Sequence, residues 1–500
     1  MGVGLWPLVR RIERNVFREE VVAESVLVVD LDGTLIYTDM LHESAVRLLR
    51  DHPLAALGLP ALLTWDKAAL KQQLAARTTF DPETLPYNKA LLAWLESQRA
   101  EGRRLVLCTA SDRSIAESIA AHLGIFDEVI ASDGRSNVAG ENKARILVEH
   151  FGREGFDYAG NSSHDLPVWA CARCAIIVNG SRRLVSQAEG VCTVTRIFPP
   201  LERSVSTWVK VLRIHQWLKN LLLFIPLLAA HEFSNADAWL SLLLAFFAFS
   251  ICASSVYIAN DLLDLDSDRR HPRKKNRPFA AGCVSIRAGA LLAPLLFVLS
   301  LGLALPVGKP FLVWLLVYFI LTCAYSLLLK RLMLIDCLTL ALLHTLRIIA
   351  GGAASDNTPS FWLLSFSIFL FLSLAFIKRY TEMDVQQRNG QEKIHGRGYH
   401  TADAPLIRVM GIIAGYLSTL VLALYLNSAT VMMLYRAPRL IWGCVPVMLF
   451  WISWMWLQAH RGEMHDDPVV FAVRNRISLA TGVVFGTILL VGMVGLPSFS

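Results

Sequence analysis

From about Trp217 to its end the chain is written in long apolar stretches, centred near residues 226, 248, 297, 319, 342, 370, 418, 448 and 486. Most approach the roughly 20 residues that a helix needs to cross a bilayer, so nine spans are expected. In lipid every backbone N–H and C=O must be bonded inside the structure, which leaves helices as the form for stretches of this length. The first two are separated only by HEFSNAD, and the stretch around Leu338–Ala350 contains His344 and Arg347, so the count holds to within one. With 54% of 500 residues apolar, an ordinary soluble enzyme is excluded, and the length asks for more than one domain.

An odd number of spans puts the two termini on opposite sides. Loops after the even-numbered spans carry RRHPRKKNR, KRYTEMDVQQR, AHRGE and RNR, whereas PVGKP and SDNTPS are nearly free of positive charge. The positive-inside bias therefore turns the basic loops toward the cytoplasm. Before about residue 205 the text is different. Charged helices such as Arg10–Glu20 alternate with short runs (VLVVD, RRLVLCTA, AIIVN) of strand length, the rhythm of an α/β domain. The opening MGVGLWPLVRRIERN has no sustained apolar core and no small-residue cleavage site, so it is not read as a secretory signal, and this half is expected in the cytoplasm. The expected division is an amphipathic segment at 1–20, the α/β domain at 21–195, a linker at 196–210 and a helical membrane domain at 211–500. No internal repeat is evident.

A net charge of +7 without a basic tail gives no support to a nucleic-acid partner. The nine cysteines are scattered, without zinc spacing, and the one CxxC, Cys171 with Cys174, reads as small buried apolar residues.

The soluble half carries a phosphate chemist's residues. VLVVDLDGTL sets Asp30 and Asp32 at the end of an apolar strand, followed by Gly33 and Thr34, and two such carboxylates can share one Mg²⁺ with a substrate phosphate. A turn rich in Asp and Gly is the bland alternative. Three further features follow in order: Thr109 and Ser111 end a second strand in RRLVLCTASD, Lys143 opens a helix in ENKARIL, and Asn161 and Asp165 follow a third strand in YAGNSSHD. Over residues 24–185 this combination resembles the haloacid dehalogenase (HAD) superfamily. The resemblance implies a Rossmann-like domain in which Asp30 is the nucleophile and Asp32 the acid that protonates the leaving oxygen. Thr109, Ser111 and Lys143 would hold the phosphoryl oxygens, and Asn161 and Asp165 would complete the Mg²⁺ site with Asp30 and Asp32. The family often has Asp where this chain has Asn161. Residues 37–86 are too long for a simple loop and read as a small helical cap.

The second span ends in VYIANDLLDLDSDRRHPRKKNRPFAAG, where Asp261, Asp264 and Asp268 fall on one helical face beside Asn260. Acids at a lipid boundary are costly unless something binds them, and Mg²⁺ carrying a diphosphate would do so, with Arg269, Arg270, Arg273, Lys274, Lys275 and Arg277 around it. The basic run alone would also suit a topology signal or a contact for anionic lipid heads, but neither explains the spaced acids. Over residues 205–498 the nine spans and NDxxDxxxD look like the UbiA superfamily of intramembrane prenyltransferases. The segments DRRHPRKKNRPFAAG, LRIHQWLKN, AYSLLLKR and FIKRYTE resemble the branch that makes polyprenylphosphoryl phosphoribose. That resemblance implies phosphoribosyl diphosphate and a polyprenyl phosphate as substrates, and Mg²⁺ held by Asn260, Asp261, Asp264 and Asp268, the last two counted as catalytic. Lys219, Tyr325, Lys330, Lys378 and Arg379 would clamp the phosphates; singly, each suits a snorkelling anchor equally well. Arg347, inside a span, should face the bundle interior and meet a phosphate. Glu382 and Asp384 stand where a second acidic motif occurs in the superfamily, and a second Mg²⁺ there is left open. His465, Asp466 and Asp467 read as a helix cap.

Joined, the halves read as a two-step membrane enzyme: the membrane half builds polyprenylphosphoryl phosphoribose, and the HAD half removes the 5-phosphate. An aromatic prenyltransferase using a polyprenyl diphosphate is the first alternative, against which the crowd of Lys and Arg argues. A transporter or lipid scaffold is the second, against which the absence of mid-span acids argues.

Overall fold

The described residues form six parallel strands: β1 Val26–Val29, β2 Leu105–Asp112, β3 Glu128–Ser132, β4 Phe156–Gly160, β5 Cys174–Val178 and β6 Thr193–Phe198. Their order across the sheet is β3-β2-β1-β4-β5-β6, and every pairing is parallel. This computed structural model describes residues 25–52, 67–133, 136–202, 204–271, 273–392, 397–464 and 467–495. Arg10–Glu20, His465 and Asp466 lie outside the described residues. The chain forms two compact units, one of Met1–Val211 with Ile258–Leu292, the other of Leu212–Tyr257 with Ala293–Ser500.

In the first unit the period-two alternation of each strand serves two cores at once, as a parallel sheet covered on both faces requires. Leu27, Val29, Leu105 and Leu107 pack with Ile115 and Ile119 on one face. Val28, Val106, Phe156 and Tyr158 pack with Leu147 and Trp169 on the other. Both neighbours of β1 are reached by crossovers, so the winding direction reverses beside it, and the carboxyl end of such a strand is where ligands bind. The boundary expected at residue 195 falls inside β6. That strand, TVTRIF, is a largely exposed edge, so it lacks the apolar run that marked the others. Within residues 37–86 the chain forms the helices Met40–Asp51 and Lys67–Arg77 and a short turn at Pro82–Thr84; residues 53–66 are outside the described set. Cys171 and Cys174 are free and half-buried rather than buried.

Among the described residues, eight helices are long and apolar enough to cross a membrane: Ala236–Leu263, Ile286–Ala304, Lys309–Leu327, Ile335–Ser355, Phe361–Arg388, Thr401–Leu426, Leu440–His460 and Arg476–Val494. They match eight of the nine expected spans. The ninth, centred near 226, is a shorter apolar stretch at Ile214–Ala229. Eleven of its residues form a 3₁₀ helix, Ile214–Phe224, and five an α-helical turn with Pro226 in its first turn, where a missing N–H does no harm. At about 2.0 Å rise per 3₁₀ residue and about 1.5 Å per α residue, the two pieces laid end to end reach about 30 Å.

In the second unit, one core gathers Phe249, Phe311, Leu315 and Tyr318 with Leu343 and Leu346, and another gathers Phe371, Phe376 and Tyr380 with Ile452, Met455 and Trp456. The molecule is an integral membrane protein with a Rossmann-like N-terminal domain.

Candidate active sites

At the carboxyl edge of the sheet, β1 delivers Asp30, whose N–H still donates to Ala159 O of β4 at 3.0 Å. Lys143, in the helix Gly140–Phe151, places its ammonium 2.7 Å from Asp30 Oδ1 and also donates to Tyr158 Oη at 2.9 Å and Cys108 O at 3.2 Å. The Tyr158 hydroxyl donates in turn to Asp165 Oδ1 at 3.0 Å. Asp165 Oδ2 accepts from the N–H groups of Asn161 and Ser162 at 3.0 and 2.9 Å. Asp32 Oδ2 accepts from Ser111 Oγ at 2.6 Å and Thr109 Oγ1 at 3.4 Å, and its Oδ1 from the Met40 N–H at 2.9 Å. Gly33 makes the turn: its φ is +74°, and a Cβ there would lie 2.0 Å from Asn161 Nδ2. Only glycine fits both demands. The seven soluble-half site residues read from sequence, Asp30, Asp32, Thr109, Ser111, Lys143, Asn161 and Asp165, therefore lie around one strand end.

Burial raises both motif aspartates. Burial raises the Asp32 carboxyl to about 7, helped by the charges of Asp39 and Asp30. Burial also raises Asp30, against the pull of Lys143, and Asp165 adds to the rise. Burial opposes the charge on Lys143, but Asp30 outweighs it and the ammonium is held above its ordinary value. Three mutually repelling carboxylates with an amide oxygen nearby form a hard-oxygen donor set, which suits Mg²⁺. Among the described residues, no three acid, histidine or cysteine side chains are already gathered as a metal cage; Lys143, Ser111 and Tyr158 engage these aspartates instead.

The acidic motif at the end of the helix Ala236–Leu263 lies in the first unit. The helix breaks at Asp264, which leads into Leu265–Arg270, so the single helical face expected from sequence is interrupted. Its repeat survives in the backbone, because Asp264 N donates to Asn260 O and Asp268 N to Asp264 O at 2.9 and 2.8 Å. Arg277 Nη1 lies 3.1 Å from Asp261 Oδ1 and 2.5 Å from Asp268 Oδ2, joining two of the acids. Burial raises the Asp268 carboxyl even against Arg277, so this donor set also suits a divalent cation.

Arg269 is elsewhere. Its guanidinium is bonded to Glu43 at 2.6 and 3.2 Å and to Ala280 O at 3.1 Å. Sequence gave it to a diphosphate; its partner, 226 positions away, was invisible there. Arg273 and Lys275 lie exposed on the loop between Asp268 and Arg277.

In the second unit Lys219 and Lys378 converge on Asp467 Oδ2 at 2.8 and 3.3 Å. Asp467 also caps the helix Pro468–Arg474 through Val469 N at 3.1 Å. The expected cap is therefore also the anchor of two expected phosphate ligands. Burial pushes the Asp467 carboxyl up, but the two lysines outweigh it and hold it well below the ordinary carboxylate range. Arg347 is buried, with Nε on Asn220 Oδ1 at 2.8 Å, Nη2 on Tyr318 Oη at 3.0 Å and Nη1 on Leu343 O at 2.5 Å. It faces inward as expected, with protein groups on all three nitrogens. Arg379 meets Asp336 at 2.8 Å and Glu382. Arg397 reaches Tyr325 Oη, Asp336 and Glu382, each at 3.4 Å, so Tyr325 and Arg379 share one network. Asp384 pairs with Arg388 at 2.9 Å. Lys330 lies on the turn Leu329–Arg331.

Sequence reading missed Tyr158, Asp336 and Arg397. Tyr158 sits on β4 among apolar neighbours and reads as core; Asp336, a lone acid opening a span, was the one visible signal.

Comparison with known proteins agrees with both halves. The model of the UbiA prenyltransferase family matches residues 221–479, and that of haloacid dehalogenase-like hydrolases matches 27–169. The chain is 37% identical to the uncharacterized protein y4nM of Sinorhizobium fredii, over 93% of this chain and 91% of that one. It is 34% identical to the nodulation protein NoeC of Azorhizobium caulinodans, over 56% of this chain and 92% of that protein. It is 36% identical to the decaprenyl-phosphate phosphoribosyltransferase of Mycolicibacterium smegmatis, over 38% of this chain and 61% of that protein.

Proposed function

The chain belongs to the UbiA prenyltransferase family and carries an N-terminal haloacid dehalogenase-like domain, and from that premise we propose a two-step enzyme of lipid-linked pentose synthesis. The membrane half transfers 5-phosphoribose from phosphoribosyl diphosphate to a polyprenyl phosphate. A lipid phosphate oxygen bonds to the anomeric carbon, and the bond from that carbon to diphosphate breaks. The likeness to decaprenyl-phosphate phosphoribosyltransferases supports this choice of substrates. So do the cations Arg273, Lys275 and Arg277 that follow the acids; in the second unit Lys219, Lys330, Lys378 and Arg379, with the Tyr325 hydroxyl, would orient phosphate groups.

The soluble half then hydrolyses the 5-phosphate of the product. Asp30 attacks phosphorus while Asp32 gives its proton to the departing ribose oxygen, and water releases phosphate from the Asp30 acyl phosphate with Asp32 accepting the proton. A carboxyl near neutrality can work in both directions at cellular pH. Splitting the hydrolysis through a covalent intermediate replaces one hard step by two easier ones. Lys143, Thr109 and Ser111 orient the phosphoryl oxygens. Mg²⁺, held by Asp30, Asp32, Asn161 and Asp165 in this half and by Asn260, Asp261, Asp264 and Asp268 in the other, would supply positive charge against those oxygens. The basic loops support a cytoplasmic-side location for both reactions, at the inner membrane.

The observation that carries the reading is the pairing of Asp30 with Lys143 at 2.7 Å beside an Asp32 bonded to Ser111 at 2.6 Å, in a chain whose other half is a prenyltransferase. The transfer is tested by diphosphate release from purified protein given Mg²⁺, phosphoribosyl diphosphate and a polyprenyl phosphate. Release should require both substrates and fall about 100-fold or more in Asp261→Asn, in line with loss of a charge-stabilising group. Release independent of the lipid phosphate would contradict the assignment.

A further inference from the structure

A cavity of about 380 Å³ opens beside Asp32 and Gly33, and its far wall is Gly282, Cys283, Ser285, Ile286 and Arg287. All of this lies within the first unit. Contact across the cavity's edge is close: Gly282, at φ +74°, brings its backbone so near Tyr37 that a Cβ would stand 2.4 Å from the Tyr37 Cβ. Ile286 begins one of the membrane-crossing helices, Ile286–Ala304. That helix exposes Leu291, Leu295, Val298 and Leu299, spacings of four, seven and eight that make one apolar stripe. At about 1.5 Å rise per residue, Arg287 stands only about 6 Å from the first leucine of the stripe. Along this helix the cavity therefore ends about one turn before the first exposed leucine, Leu291.

The charges in the cavity are uneven. Asp32 and Asp39 line it, and His42 faces Asp39 at 3.1 Å. Of the described lining residues, Arg287 is the one permanent cation. It is exposed, on the side where the apolar stripe begins. Ser285 is beside it, its Oγ accepting from Ala288 N at 3.3 Å and its hydroxyl proton left to donate. A volume at the low end for ligand pockets has room for a sugar phosphate but not for a polyprenyl tail.

We propose that this site draws its phosphate monoester from a lipid-linked sugar, and that Arg287 binds the phosphodiester joining the sugar to its lipid. The monoester lies at Asp30 and Asp32, the diester lies against Arg287, and the tail leaves past the exposed Leu291. A guanidinium matches two phosphodiester oxygens with paired donors, the geometry in which such bonds are strongest. The inference rests on the two-step reading and names the residue by which that site tells a lipid-linked phosphate from a soluble one.

The test uses full-length protein in detergent, given two phosphatase substrates: ribose 5-phosphate and a synthetic short-chain prenylphosphoryl 5-phosphoribose. Because the lipid substrate is supplied, the transferase half is not needed. The ratio of kcat/KM for the lipid-linked substrate to that for ribose 5-phosphate should fall about tenfold or more in Arg287→Ala, mainly through KM, as loss of a charge-assisted contact predicts. Arg287→Lys should restore part of it. The ratio cancels any loss of folded protein. A ratio unchanged in Arg287→Ala overturns the Arg287 assignment and leaves the two-step reading standing. Wild-type protein that hydrolyses neither substrate, or only ribose 5-phosphate, overturns both.

Discussion

Asp467 shows how one residue can hold several functional candidates in place. Its Oδ2 takes Lys219 and Lys378 while its Oδ1 caps a helix. Its carboxyl is held below the ordinary range by the two lysines, so the pair stabilises the fold wherever the unfolded carboxyl, near 3.9, is already ionised. That contribution is complete above about pH 5 and is lost as the pH falls below 4 toward the folded value. Thermal midpoints of wild type and Asp467→Asn should therefore differ by a constant amount above pH 5 and converge below pH 4. A gap that persists unchanged at pH 3 would contradict the pairing. The cap was legible from the sequence, since Asp before Pro opens a helix; the lysines were not, because they are 248 and 89 positions away.

At the scale of elements, the helix Met40–Asp51 follows the catalytic turn and carries Glu43, Arg47 and Arg50 to the segment that bears the acidic motif. Arg269 meets Glu43 at 2.6 Å, and Arg47 and Arg50 meet Asp266 at 2.6 and 2.7 Å. Glu43 and Arg47 are almost fully buried. Breaking such a pair leaves an uncompensated buried charge, worth about 3–5 kcal/mol. Glu43→Ala should lower stability by about that amount, read from the thermal unfolding of the purified protein. A loss under about 1 kcal/mol, the size of a surface pair, would show that the network carries little. The strands, the aspartate motif and the spans were readable because each is a local pattern of period two, of turn chemistry or of apolar length. The Arg269–Glu43 pair was not legible, because a cation beside acids looks the same whether its partner is a diphosphate or a distant glutamate. Arg287 was passed over because one arginine opening a span looks like an anchor until the cavity beside it is known.

At the scale of the whole molecule, two families of phosphate enzyme share one chain. Attachment raises the concentration of one site's product near the other to the millimolar range for a short connection, which gives the fusion its chemical sense if the phosphatase acts on what the transferase makes. The direct test is mass spectrometry of lipid extracted after purified protein meets Mg²⁺, phosphoribosyl diphosphate and a polyprenyl phosphate, with Asp30→Asn alongside. The wild type should yield a lipid heavier by ribose and the variant one heavier by ribose phosphate. A variant that still yields the dephosphorylated lipid, or a wild type whose lipid gains no mass, would contradict the account.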